Sequence, residues 1–87
     1  MTAKDVLRIS DLGKAAFLVT KGMRLVEAEQ FENRVYLAFS NYEMCRSTLR
    51  QIEDNVPVCI NDYLNAFTQV KSAMRDARDK KEAKYGA

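Results

Sequence analysis

Apolar positions along this chain change period several times, and each change marks a predicted element. Val6-Leu7-Arg8-Ile9 is short, apolar and partly β-branched, which predicts a strand. Ser10 and Asp11 follow as helix N-cap candidates, and Leu12, Ala15, Ala16 and Val19 then recur at helical spacing. Gly22 closes this helix, expected over residues 11–21, because glycine tolerates positive φ after a last turn.

The next segment, residues 23–39, reads as a β-hairpin that breaks near Glu32-Asn33. A two- or four-residue loop puts residue 30 opposite 35, 28 opposite 37 and 26 opposite 39. Val26, Ala28, Val35, Leu37 and Phe39 then face the core. Leu25, Glu27, Glu29, Phe31, Arg34, Tyr36 and Ala38 face outward. A three-residue loop changes the pairing, since a slip of one residue swaps a strand's faces.

Ser40 and Glu43 have the spacing of a capping box, which starts a second helix with Tyr42, Cys45, Leu49 and Ile52 as its apolar stripe. That helix is expected to end near Asp54-Asn55. Pro57 sits in an extended linker, because the residue before proline avoids the helical region. Asn61 or Asp62 is expected to cap a third helix with Tyr63, Phe67, Val70 and Met74 on its buried side. Beyond Met74 the stripe stops and alternating charge takes over. A helix over residues 61–84 would reach about 36 Å at ~1.5 Å per residue, so its last turns are expected to project or fray. The resulting expectation is one α+β domain over residues 1–74, in the order β-α-β-β-α-α. It has a small three-stranded, mostly antiparallel sheet with helices on one face, and a charged helical or disordered extension over residues 75–87.

Composition narrows the chemistry. None of the 87 residues is histidine, which removes the side chain that titrates near neutrality and the commonest metal ligand. Nucleophile–histidine pairs and histidine-bearing zinc sites are excluded, and neither a catalytic residue nor a metal or other cofactor is expected. Glu27 and Glu29 alternate on one strand, a spacing that general acid/base work or Mg²⁺ can use, but the ordinary role of such a pair is a solvated face. Glu53, Asp54 and Asp62 beside the proline linker read as capping and solvation. Lys14 and Lys21 read as surface charge, and Gly13 lacks the companions of a phosphate-binding turn.

Cys45 and Cys59 are expected to be reduced, buried and structural. Without a signal peptide or an apolar run of membrane-spanning length, the protein is expected in the cytoplasm. Charge is uneven: residues 1–70 carry net −1 and residues 71–87 net +3.

The stretches Asp11-Leu12-Gly13-Lys14-Ala15-Ala16-Phe17-Leu18, Lys21-Gly22-Met23-Arg24-Leu25-Val26 and Asn33-Arg34-Val35-Tyr36-Leu37-Ala38-Phe39 resemble a family of short uncharacterised bacterial and phage proteins. In that family a "DLxLAAxL" helix runs into "kGhxLl" and "rrvxFxF" strands. Phe67-Thr68-Gln69-Val70-Lys71-Ser72 is similar to the family's C-terminal helix. The resemblance covers about residues 9–74, and this chain departs from it at Lys14 and in its charged tail. It implies a small module of phage or mobile-element genomes, a setting in which short proteins often occupy and block a host component. It carries no activity to transfer.

Two functional expectations follow. A domain this small has marginal stability alone, and association is the reinforcement left to it. The first reading is therefore a non-catalytic protein-binding or regulatory module, an inhibitor that occupies a partner's surface and also self-associates. Its contact residues are Leu25, Phe31, Arg34 and Tyr36, with the exposed side of the third helix second. The alternative is a nucleic-acid-binding accessory protein that uses Arg75, Arg78, Lys80, Lys81 and Lys84 on phosphates, although three acids are interleaved with those bases.

Overall fold

The computed structural model describes the backbone of residues 5–86 and the side chains of residues 5–79. The elements are β1 (Val6–Ile9), α1 (Leu12–Thr20), β2 (Leu25–Phe31), β3 (Arg34–Ser40), α2 (Tyr42–Glu53) and α3 (Ile60–Gly86). The fold is α+β, with a three-stranded antiparallel sheet in the order β1-β3-β2 and a long C-terminal helix.

The central strand β3 is the most apolar, and its inward residues Val35, Leu37 and Phe39 are all buried. Leu7 and Ile9 of β1 pair with Phe39 and Leu37, so they share that inner face. Ala15 and Leu18 of α1, Cys45 of α2 and Val70 of α3 complete the core. Ala15, Ala16 and Ala66 are buried where α1 packs on α3. Their short side chains let the two helix backbones approach closely. All three helices thereby lie on one side of the sheet, and among the described residues no element covers the other side.

The hairpin pairs as expected at Gln30–Val35 and Ala28–Leu37, through the two-residue turn Glu32-Asn33. The third expected pair is corrected. A β-bulge between Leu25 and Glu27 places Leu25, not Val26, opposite Phe39. Leu25 therefore turns inward and packs on the core, while Val26 is 43% exposed. Edge strands accommodate such an extra residue because only one of their sides is hydrogen-bonded.

Helix ends account for most other differences. Asn41, not Ser40, caps α2: its side chain accepts from the Met44 backbone N–H at 3.2 Å. Ser40 is the last residue of β3 and pairs with Val6, so its backbone belongs to the sheet. α3 begins at Ile60, and its first helical bond runs from the Tyr63 N–H to the Cys59 carbonyl, ahead of the expected Asn61 or Asp62 cap. Cys45 is buried as expected, but Cys59 is exposed at this helix start.

Both shorter helices close in a left-handed cap. Gly22 (φ 89°) follows α1, with Gly22 N–H on the Val19 carbonyl and Met23 N–H on the Leu18 carbonyl. Asn55 (φ 56°) repeats the arrangement after α2, through the carbonyls of Ile52 and Gln51. Along α3 the buried stripe continues past Met74 to Ala77, one turn beyond its expected end. The helix has 27 residues, about 40 Å at 1.5 Å per residue.

Candidate functional site

The uncovered sheet face is built by alternation. Cross-strand rows run Arg8–Ala38–Glu27, then Tyr36–Glu29, then Arg34–Phe31. Arg8, Glu27, Glu29, Phe31, Tyr36 and Ala38 line a concavity of about 320 Å³. Ala38 is its floor, only 3% exposed, because the longer neighbours on both flanking strands cover a methyl group. Phe31 stands at its rim, 63% exposed, and Tyr36 is half-buried. Two carboxylates lie on the β2 side and one guanidinium on the β1 side.

Of the expected contact residues, Phe31 and Tyr36 meet in this concavity. Leu25 does not, since the bulge has turned it to the core. Arg34 lies on the same face, opposite Phe31, and also lines a different concavity of about 270 Å³ with Ser10, Asn33, Val35, Met74 and Arg78. Arg8 was missed because pairing of β1 with β3 is long-range. Its only sequence signal is one charged position inside an apolar strand.

A third concavity of about 430 Å³ lies among the start of α1, the α2–α3 linker and the start of α3, lined by Phe17, Ile52, Val56, Val58 and Tyr63 with Asp11 and Lys14 at its margin. Lys21 is held by its own helix, with Nζ 5.6 Å from the centre of the Phe17 ring. Asp54 is the C-cap residue of α2, and Asp62 lies in the first turn of α3, where its carboxylate favours the helix dipole. Among the described residues, no three His, Cys, Asp or Glu side chains form a group able to hold a metal ion.

On α3, Lys71, Arg75 and Arg78 are exposed. At about 100° per residue they fall within a sector of about 60°. Among the described side chains, the exposed Asp62, Asp76 and Asp79 occupy the adjoining sector, with Asp79 one turn from Arg75. Lys80, Lys81 and Lys84 lie outside the described side chains. No helix among the described residues is long and apolar enough to cross a membrane.

Compared with known proteins, the chain matches no family model, no curated relative and no solved structure.

Proposed function

We propose that this protein is a non-catalytic protein-binding module whose uncovered sheet face takes a lysine or arginine side chain presented by a partner protein. One observation carries this reading: a 63%-exposed phenylalanine and a half-buried tyrosine line one concavity with Ala38, Glu27 and Glu29. Aromatic faces attract cations and the aliphatic stems behind them. Carboxylates next to those rings add charge complementarity, which favours a basic partner over an acidic one. Arg8, across Ala38 from Glu27, gives the site a polarity that orients the incoming chain. The sheet is rigid because its other face is the core, so little ordering accompanies binding.

The test is retention of synthetic peptides on the immobilised protein. Peptides bearing lysine or arginine beside aliphatic residues are expected to be retained, and their glutamate counterparts are not. The double substitution Phe31→Ser/Tyr36→Ser is expected to abolish retention while the thermal transition stays cooperative. Unchanged retention by that variant would rule this face out.

A further inference from the structure

We propose that Arg34, at the end of the hairpin, and the basic flank of α3 together bind the phosphate backbone of a nucleic acid. This goes beyond the protein-contact reading and uses a different concavity. The sequence places phosphate contact on Arg75, Arg78, Lys80, Lys81 and Lys84 of the tail alone. The fold adds Arg34 of the hairpin, which shares a concavity with Arg78.

Arg34 and Arg78 line one concavity of about 270 Å³ with the hydroxyl-bearing Ser10 and the amide-bearing Asn33. Its remaining described lining residues are Val35 and Met74, so no carboxylate is among the described ones. Guanidinium groups bind phosphate oxygens through paired N–H donors, and hydroxyl and amide groups supply the additional donors typical of backbone contacts. The site continues along α3. Arg75 and Lys71 follow Arg78 on the same exposed flank, and Asp76 and Asp79 are turned onto the neighbouring one. Lys71 to Arg78 covers about 10 Å of helix axis, comparable with about three phosphates at ~3.4 Å per strand step of a duplex. Hairpin and helix thus present four cations among the described side chains, Arg34, Lys71, Arg75 and Arg78. Contacts to phosphate oxygens carry no sequence information, so this contact is expected to be indifferent to sequence.

The experiment is fluorescence anisotropy with the full chain against labelled mixed-sequence duplex DNA and, separately, single-stranded RNA, over a salt series. Four phosphate contacts predict a slope of log K against log salt of about −3.6 on duplex. Arg34→Ala/Arg78→Ala is expected to reduce that slope by about two units, uniformly across sequences. Both residues are exposed, and an unchanged melting curve confirms that the variant is folded. The two probes tell whether duplex or single strand is preferred, and either preference supports the proposal. Three results would overturn it: no binding at low salt, a slope unaffected by the double substitution, or equal binding to polyglutamate. Phe31→Ser/Tyr36→Ser is expected to leave the slope unchanged, so loss of peptide retention and loss of nucleic-acid binding fail independently.

Discussion

The Tyr63 phenol donates a 3.2 Å hydrogen bond to the backbone carbonyl of Gly13, tying the first turn of α3 to the first turn of α1 across fifty residues of chain. The same tyrosine packs on Phe67, with ring centres 6.3 Å apart. Tyr63→Phe keeps the ring contact and removes only the bond. It is expected to cost about 1 kcal/mol and to lower the melting temperature by roughly 4–8 °C. Thermal unfolding followed by circular dichroism measures it.

The cap of α2 separates two adjacent residues. Asn41 combines a left-handed backbone (φ 67°) with the side-chain bond to Met44. Asn41→Ala loses both the cap and the tolerance for that conformation, and is expected to destabilise by about 1–2 kcal/mol. Ser40→Ala is expected to stay within about 0.5 kcal/mol, because the backbone of Ser40 carries its sheet role. Urea denaturation of the two variants decides which residue is the cap.

Two other residues hold positive φ without being glycine. Glu32 (φ 56°) is the first central residue of the hairpin turn, and Asn55 (φ 56°) follows α2. Glycine takes that conformation without the steric cost that a Cβ imposes. Glu32→Gly is expected to raise stability by up to about 1 kcal/mol, and Asn55→Gly by less, since asparagine already tolerates it. A fall in stability for Glu32→Gly would contradict the turn geometry.

The two thiols differ in environment. Cys45 is buried and donates to the Ser40 carbonyl at 3.2 Å, and burial pushes its pKa above the ordinary value. Cys59 is exposed. In the folded protein, iodoacetamide is expected to add one label, on Cys59, and in denaturant two, as read by mass spectrometry. The raised pKa also has a consequence for stability. Below the ordinary thiol pKa of about 8.5 both folded and unfolded chains keep the proton. Above it the unfolded chain releases the proton first, so stability falls as pH rises toward the folded-state pKa. Cys45→Ala is expected to flatten that decline.

Where local pattern decided the outcome, the sequence was legible. The strand Val6–Ile9, the glycine close at Gly22, the proline linker and the helical stripe through Tyr63, Phe67, Val70 and Met74 all follow from spacing and turn chemistry. Reading failed where a residue's role depends on another segment. The bulge at Val26 serves the fit of Leu25 beneath the sheet, and strict alternation gives no warning of it. Ser40 had the right spacing for a capping box, but pairing with Val6 claimed its backbone first. Thr48 is polar yet buried. Its hydroxyl donates to the Met44 carbonyl at 2.7 Å, which lets it be buried beside Cys45 on α2. Of the candidate contact face, Phe31 and Tyr36 were legible from alternation. Arg8 required the β1–β3 pairing, and Arg34 beside Arg78 required the tertiary fold.

The central claim, that contact is made by the sheet face the helices leave open, is tested most directly by two-dimensional amide NMR. The ¹⁵N-labelled protein would be titrated with a retained lysine- or arginine-bearing peptide. Amides of Arg8, Glu27, Glu29, Phe31, Tyr36 and Ala38 are expected to shift together in a saturable way, with α1 and α2 unmoved. Shifts confined to the helices, with those six unchanged, would contradict it.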